Sequence, residues 1–237
     1  MSRRAIILAG GEGRRLRPYT VVLPKPLMPI GDCSVLEVIV RQLARRGFTH
    51  LTMAVNHQAE IIKALFGSGD RWGIRIDYSL EHKPLSTIGP LKLIKDLPED
   101  FLVMNGDILT DLDYAAFFDR HVAAGNIFTV AASNREQLID YGVLEPDESG
   151  RLRSFKEKPV LRYDVSMGVY MANRKAMDFV PHDASYGFDQ LMLDLIAAGQ
   201  PAAVRRHEGY WLDIGRPDDY SRAIDEFEGM KSRLLGA

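Results

Sequence analysis

Short apolar runs alternate with amphipathic stretches through the first half of this 237-residue chain. Residues 5–8 are apolar throughout, as expected for a strand that is buried on both faces of a sheet. Further strands are predicted at residues 50–55, 74–78 and 101–104, and a helix at residues 58–66. Alternation of this kind is typical of a parallel sheet covered by helices on both faces. The sequence therefore predicts a three-layer α/β/α fold.

A capping box predicts the start of the first helix. Ser34 and Glu37 occupy the first and fourth positions of this motif, in which the serine side chain bonds the backbone N–H three residues on. Apolar residues then recur with the helical spacing i, i+3, i+4 and i+7, namely Leu36, Ile39, Val40 and Leu43. Gly47 is expected to end the helix, because glycine readily adopts the left-handed conformation that often follows a helix.

The second half of the chain mixes strands and helices less regularly. Predicted strands lie at residues 126–132, 165–172 and 202–205, and predicted helices at 112–123 and 188–198. Residues 143–155 predict a hairpin that turns at 147–150. Pro217 suits the first position of a final helix, with Asp218 and Asp219 in its first turn. We expect this half to extend the first, so that residues 1–237 form one domain around a mixed, mostly parallel sheet.

Composition excludes several classes of protein. Thirty basic residues against 32 acidic ones give a net charge of −2, which does not indicate binding to a long nucleic acid. One cysteine, Cys33, excludes a disulfide framework and fits a reducing compartment. The apolar run at residues 5–9 is far shorter than the roughly 20 residues of a membrane span. We expect a cytoplasmic protein with no membrane partner. The C-terminal helix can pack internally or on a second copy, which leaves a homo-oligomer open.

A glycine-rich loop follows the first predicted strand. Gly10, Gly11 and Gly13 allow the backbone to approach a phosphate chain closely, and Arg14 and Arg15 add positive charge beside them. The spacing matches neither the P-loop nor the dinucleotide-binding fingerprint. Ligands of parallel α/β sheets bind at the carboxyl ends of the strands, which is where this loop lies. A flexible surface turn is the alternative interpretation.

The glycine loop and the segment after it resemble a known signature. Residues 10–16, followed by Pro24-Lys25-Pro26, resemble the signature of sugar-1-phosphate nucleotidyltransferases, which make nucleoside-diphosphate sugars. The two prolines hold the backbone extended and present Lys25 with little conformational entropy left to lose.

Later segments extend this resemblance over nearly the whole chain. Asn105-Gly106-Asp107, Glu157-Lys158-Pro159, residues 209–215 and residues 81–91 look like successive elements of the family. The resemblance implies a Rossmann-like, glycosyltransferase-A-like nucleotidyltransferase architecture. It also implies a nucleotide-binding part at about residues 1–110 and a sugar-binding part at about 111–237.

The resemblance implies a role for each matching residue. The implied catalytic residues are Arg15, Lys25 and Asp107. The implied metal ligands are Asp107 and Asp213, two carboxylates that suit Mg²⁺. The implied nucleotide-binding residues are Leu8, Gly10, Gly11, Gly13, Arg14, Glu81 and Gly89. The implied sugar-phosphate-binding residues are Asn105, Tyr141, Gly142, Glu157, Lys158 and Trp211. The implied partners are a nucleoside triphosphate and a sugar 1-phosphate, whose anionic oxygen needs no general base to attack the α-phosphorus.

Glu81 bears on the choice of nucleotide. Thymidylyl- and uridylyltransferases resemble one another in carrying glutamine where this chain has Glu81. A carboxylate only accepts hydrogen bonds, so it suits the N1–H and amino group of guanine. The chain looks most like mannose-1-phosphate guanylyltransferases, and we expect GTP as substrate. A thymidylyl- or uridylyltransferase of a hexose 1-phosphate is the alternative.

Three positions depart from the family pattern. Arg14 replaces the usual threonine and adds a positive charge whose partner the sequence does not identify, while Ser86 and Ile88 replace glycine and alanine. These two side chains are expected to narrow the pocket, so the product can be of the GDP-mannose or the GDP-heptose type. A catalytically silent, nucleotide-sugar-binding regulatory subunit is a further alternative. Such a subunit would lose Lys25, Asp107, Lys158 or Asp213, and all four are present.

Overall fold

A seven-stranded mixed sheet forms the centre of the structure, a computed structural model that describes residues 3–56 and 58–236. In chain order the strands are β1 (Arg3–Leu8), β2 (Pro29–Ile30), β3 (Cys33–Ser34), β4 (Phe48–Val55), β5 (Arg75–Leu80), β6 (Asp100–Asn105), β7 (Ile108–Thr110), β8 (Phe128–Leu138), β9 (Val143–Pro146), β10 (Leu152–Lys156), β11 (Val160–Asn173), β12 (Ala203–Arg206) and β13 (Trp211–Asp213). The main sheet has the order β12-β8-β11-β6-β1-β4-β5. Only β11 runs antiparallel to its neighbours in that sheet, which confirms a mostly parallel, mixed sheet.

Two apolar cores cover the two faces of the sheet. The helices are α1 (Val35–Arg45), α2 (Ala59–Phe66), α3 (Tyr114–Ala124), α4 (Phe188–Ala197) and α5 (Pro217–Leu235). Alternate residues of a strand face opposite sides, and accordingly Ile7 joins one core and Ile6 the other. The first core contains residues of α1, α2, α3 and α5, whereas the second contains residues of α4 and of the 88–97 segment. This arrangement confirms the three-layer α/β/α fold.

The first helix begins where the capping residue predicts it. Ser34 Oγ accepts a hydrogen bond of 3.2 Å from the backbone N–H of Glu37. Arg41, one turn later, donates a hydrogen bond of 2.5 Å to the Glu37 carboxylate. Gly47 follows the helix with a φ of +79°, the left-handed conformation expected there.

The strands β8 and β11 are much longer than predicted. Residues 132–138 of β8 pair with 160–166 of β11 and lead into the predicted hairpin of β9 and β10, and residues 132–166 together form an arm. The arm is largely exposed and polar, and Arg162 Nε bonds Glu136 Oε1 across it at 2.7 Å. Because a two-stranded arm has no buried face, it lacks the apolar run that predicts a strand.

The helix α5 packs internally along its apolar stripe. Tyr220 donates a hydrogen bond of 2.7 Å to the carbonyl of Pro29, and Phe227 is 1% exposed. A side chain at Gly31 would lie 2.6 Å from the Phe227 ring, so β2, β3 and their turn fit closely under the helix. Ile224, on the same helix, is 49% exposed.

Among the helices of residues 3–56 and 58–236, none combines the length and the apolar character that crossing a bilayer requires.

Candidate active site

A cleft of about 570 Å³ lies at the carboxyl ends of β1, β4, β5 and β6. From the predicted nucleotide-binding set, it is lined by Leu8, Gly10, Gly11 and Glu81. From the other predicted sets it is lined by Lys25, Asn105 and Asp107. The cleft therefore occupies the position at which parallel α/β sheets bind their ligands.

Lys25 is held rigidly at one side of the cleft. It begins a single 3₁₀ turn (Lys25–Leu27), closed by a hydrogen bond of 2.8 Å from Leu27 N to the Pro24 carbonyl. The expectation that the two prolines hold this backbone extended is therefore wrong, and the turn presents Lys25 instead. Its side chain is 13% exposed, and its Nζ donates to the Asp107 carboxylate, which is 15% exposed. The same Nζ lies 3.9 Å from Asp213 Oδ1. One ammonium group thus stands between two carboxylates.

The short strands β7 and β13 bring those carboxylates together. Asp213 is in register with Ile108, and Ile214 N donates to the Asp107 carbonyl at 3.1 Å. Burial raises the pKa of Asp213, and the nearby Asp107 charge raises it further, while Lys25 and Arg15 oppose this effect. A methyl group added at Gly215 would lie 3.4 Å from Arg15 Nη2 and 3.5 Å from Asp213 Oδ2. Arg15 therefore also lies beside the acidic pair.

The two carboxylates fit a magnesium ion. Mg²⁺ is commonly held by one or two carboxylates together with water and substrate phosphates. Within the described part of the chain, no group of three or more His, Cys, Asp or Glu residues is placed to hold a metal. The donor set is therefore suited to a hard ion shared with a phosphate ligand, rather than to a closed protein cage.

The glycine loop is folded back on the Lys25 turn. Gly13 has a φ of +61°, and a side chain there would lie 2.8 Å from Thr20 Cγ2 and 3.2 Å from Lys25 Cβ. The Thr20 hydroxyl donates to the Gly13 carbonyl at 2.8 Å. Gly13 thus lies behind the loop and shapes it, whereas Gly10 and Gly11 line the cleft.

The extra charge of Arg14 has a partner after all. Its Nε lies 2.5 Å from Glu12 Oε2, and both side chains are largely accessible. Glu12 lines the cleft, so the pair brings a compensated charge to its rim. The sequence alone does not identify this partner, although Glu12 is only two residues away.

Glu81 follows β5 directly and projects its carboxylate into the cleft. Its Oε1 accepts a hydrogen bond of 2.7 Å from Leu85 N, and its Oε2 would lie 3.7 Å from a side chain at Gly10. Burial raises the pKa of Glu81, and the Leu85 hydrogen bond partly offsets this rise. The carboxylate is thus oriented by its own loop and adjoins the glycine loop.

Two residues of the 81–91 segment lie elsewhere than expected. Ile88 is fully buried in the second core, so the expectation that it narrows the pocket is wrong. Gly89 is also buried, with the Ala184 carbonyl 2.8 Å from the position of an added side chain, and it lies behind the cleft. Ser86 and Thr87 line the cleft instead. Loop orientation depends on tertiary contacts that a motif does not show.

Most of the predicted sugar-phosphate residues lie outside the cleft lining. Tyr141 is 79% exposed on the arm. Glu157 is close to Gly142, since a side chain there would lie 3.2 Å from Glu157 Oε2. Lys158 Nζ pairs with Asp140 at 2.8 Å. Of this set, only Asn105 lines the cleft.

Trp211 is anchored beside the acidic pair. Its indole N–H donates to the Met167 carbonyl at 3.0 Å, and the Arg135 guanidinium lies 4.7 Å from its ring centroid. Trp211 is two residues before Asp213 on β13. The indole thus fixes the strand that carries the second carboxylate.

Sequence reasoning missed Asn56. It lines the cleft immediately after β4, and its side-chain amide donates to the Gly10 carbonyl. A polar residue at the carboxyl end of a buried strand is a usable signal, so position alone could have identified it.

Comparisons with known proteins agree with this geometry. The model of the nucleotidyl transferase family matches residues 4–229. UTP--glucose-1-phosphate uridylyltransferase from Synechocystis sp. is 33% identical over an alignment of length 252, which covers 98% of this chain and 64% of that protein. Mannose-1-phosphate guanyltransferase from Schizosaccharomyces pombe is 34% identical over 227 residues, covering 92% and 62%. The chain thus spans less than two thirds of the length of these curated relatives.

A solved structure shares the fold over nearly the whole chain. HddC from Yersinia pseudotuberculosis, complexed with GMP-PN, superposes with a TM-score of 0.72 at 25% identity and covers 95% of this chain and 99% of that one. The family model matches residues 4–229, and both curated relatives are more than 30% identical to this chain. This chain belongs to the nucleotidyl transferase family.

Proposed function

We propose that this chain transfers a nucleotidyl group from a nucleoside triphosphate to a sugar 1-phosphate, releasing pyrophosphate. The proposal rests on one observation: Lys25 lies between Asp107 and Asp213 in the cleft that the glycine loop lines. Anionic ligands fit a cleft bordered by exposed backbone N–H groups and fixed cations.

The chain's own residues act by positioning and by neutralising charge. A sugar 1-phosphate oxygen is already anionic when it attacks the α-phosphorus, so no side chain has to remove a proton from it. Gly10 and Gly11 let the triphosphate approach the backbone, while Lys25 and Arg15 neutralise charge that develops as pyrophosphate leaves. Asp107 holds Lys25 in place before the substrates arrive.

Asp107 and Asp213 are the residues that would hold Mg²⁺. When bound, the ion neutralises negative charge on the phosphate oxygens. Lys25 already compensates part of the charge of the two carboxylates, and its rigid turn keeps that compensation in place.

The sugar is proposed to bind between Asn105 and the arm. Asn105 lines the cleft, and we retain Glu157, Tyr141 and Gly142 as residues facing the sugar. For Lys158 to bind the sugar phosphate, the phosphate has to replace the Asp140 carboxylate as its partner.

GTP is the proposed nucleotide. The Glu81 carboxylate lies in the cleft beside the glycine loop and accepts hydrogen bonds only, which suits guanine and opposes the carbonyl oxygens of uracil and thymine. The HddC structure with GMP-PN supports this choice, and the product is proposed to be of the GDP-mannose or GDP-heptose type. UTP is the second candidate, because the Synechocystis uridylyltransferase matches 98% of the chain.

A substrate panel tests both levels of the proposal. Pyrophosphate release is measured with GTP, UTP, dTTP, ATP and CTP, each with mannose, glucose and heptose 1-phosphates and Mg²⁺. We expect turnover, fastest with GTP. Faster turnover with UTP or dTTP overturns the guanine assignment alone. Binding of nucleotides without turnover of any pair overturns the enzyme assignment and favours a regulatory subunit.

A further inference from the structure

The 81–89 loop, which carries Glu81, is bonded to a distant part of the chain. Tyr186 N donates to the Leu85 carbonyl at 3.0 Å, and the Tyr186 carbonyl accepts from Ile88 N at 3.0 Å and Gly89 N at 2.9 Å. Leu85, Ile88 and Tyr186 are buried. Buried backbone hydrogen bonds are costly to leave unmade, so the 184–188 segment before and at the start of α4 is a fixed support for this loop.

Gly89 makes the close approach of the two segments possible. A side chain at this position would lie 2.8 Å from the Ala184 carbonyl oxygen and 3.0 Å from Leu85 Cβ. Backbone atoms cannot move aside as the end of a flexible side chain can. Glycine is therefore required here for packing against the 184–188 segment, and not for contact with a ligand.

Thr87 adds a side-chain hydrogen bond to the junction between the 81–89 loop and the 184–188 segment. Its Oγ1 accepts a hydrogen bond of 2.8 Å from Phe188 N, and Phe188 is the first residue of α4. The N–H groups of the first helical turn have no partner inside their own helix. Thr87 thus satisfies one of these donors and links the cleft-lining face of the loop to the helix.

Leu85 connects the junction to the carboxylate of Glu81. Leu85 donates its N–H to Glu81 Oε1 and accepts at its carbonyl from Tyr186 N. Ser86, between the bonded residues, has a φ of +66°. A residue other than glycine keeps such a conformation only where its surroundings fix it, and here bonds on both sides do so.

We propose that the 184–188 segment is a positioning element for nucleotide recognition, acting through Thr87 and Gly89 to hold Glu81 toward the base. This inference rests on the proposed function, because it assigns the 81–89 loop to base recognition. Thr87 and Gly89 are positioning residues: they set where the Glu81 carboxylate lies, and through it the preference for GTP over UTP.

Two substitutions at Thr87 provide the main test. Thr87→Val keeps the shape and removes the acceptor, whereas Thr87→Ser keeps the hydroxyl. We expect Thr87→Val to raise the Kd for GTP, measured by calorimetry, and to lower the GTP/UTP ratio of kcat/KM, each roughly three- to tenfold, as for the loss of one hydrogen bond. Thr87→Ser should remain within about twofold of the wild type.

Two further variants serve as the positive and the negative control for the junction. Gly89→Ala forces the two backbones apart and should change both quantities at least about tenfold. Ile196→Ala changes a side chain of α4 that is 62% exposed and takes no part in the junction. Since surface substitutions of this kind have small effects, it should leave both quantities within about twofold. Thermal unfolding checks that each variant is folded.

Hydrogen exchange separates this inference from the proposed function. In ligand-free protein, Thr87→Val should speed exchange of the amides in residues 81–89 while leaving those of β1 and β6 protected. Unchanged exchange, or an unchanged Kd and GTP/UTP ratio in folded Thr87→Val, overturns the inference. Absence of turnover by the wild type with every substrate pair overturns the proposed function, whatever the exchange shows.

Discussion

Asp107 is the residue on which the proposed chemistry depends most. We expect Asp107→Asn to lower pyrophosphate release at least about 100-fold, because Lys25 loses the nearer of its two carboxylate partners and the proposed metal site loses a carboxylate. The change is nearly isosteric, so thermal unfolding should remain close to that of the wild type. Asp119→Asn, a matched change at an exposed position of α3 that pairs with Arg3, should leave turnover unchanged. Near-normal turnover in well-folded Asp107→Asn protein would contradict the assignment.

Glu81 is the residue that should select the base. Glu81→Gln keeps an oxygen that can accept from Leu85 N and adds a donor, which suits the carbonyl oxygens of uracil. We expect the GTP/UTP ratio of kcat/KM to fall by about tenfold or more, since an unpaired polar group in a buried site is costly. The ratio is measured from initial rates of pyrophosphate release. A ratio equal to that of the wild type would show that Glu81 does not contact the base.

The protonation of Glu81 gives a pH prediction. Burial raises the pKa of its carboxyl above the ordinary value of 4.5, so the group takes up a proton at a higher pH than an exposed glutamate. Protonation removes an acceptor and the negative charge, and GTP affinity should therefore fall on acidification, beginning above pH 4.5. Calorimetric titrations at a series of pH values measure this. Glu81→Gln is the control, because the GTP phosphates titrate alike with both proteins; identical pH profiles would contradict the prediction.

At the scale of elements, α5 holds the segment that leads from Lys25 to α1. Phe227 is 1% exposed and packs on Gly31. We expect Phe227→Ala to lower the free energy of unfolding by about 3–5 kcal/mol, as for other large-to-small core changes. Ile224→Ala on the same helix, where the side chain is 49% exposed, should cost about 1 kcal/mol or less. Urea unfolding followed by circular dichroism measures both, and equal costs would mean that the helix is not anchored through Phe227.

The elements also show what the sequence can and cannot predict. The cores of β1, β4 and β6 are predictable because strands buried on both faces must be continuously apolar. The pairing of β7 with β13 is not, since three-residue strands have no periodicity, and yet this pairing places Asp213 beside Asp107. The motifs identified Lys25 and Asp107, whereas the burial of Ile88 and Gly89 depends on the 184–188 segment, which is about 100 residues away in the chain.

At the scale of the molecule, the predicted nucleotide and sugar parts share one sheet and both cores. The strand β6 of the first part pairs with β11 of the second. The second core packs Ile6 with Tyr170 and Leu191. The first core likewise joins β1 and α1 to Phe227 of α5. Neither part can lose its structure without exposing the apolar surface of the other, so we expect a single unfolding unit.

The two tryptophans allow this expectation to be tested, because each reports on one part. Trp72 stacks on Phe66 at 5.2 Å between ring centroids, while Trp211 is bonded to Met167 in the second part. In the single-tryptophan variants Trp72→Phe and Trp211→Phe, the remaining fluorophore should give the same urea midpoint as circular dichroism of that variant, as coincident transitions require. Two separated midpoints within one variant would show that the parts unfold independently. The fluorescence and dichroism curves are recorded on the same samples, so a change in overall stability caused by the substitution shifts both curves together and leaves the comparison intact.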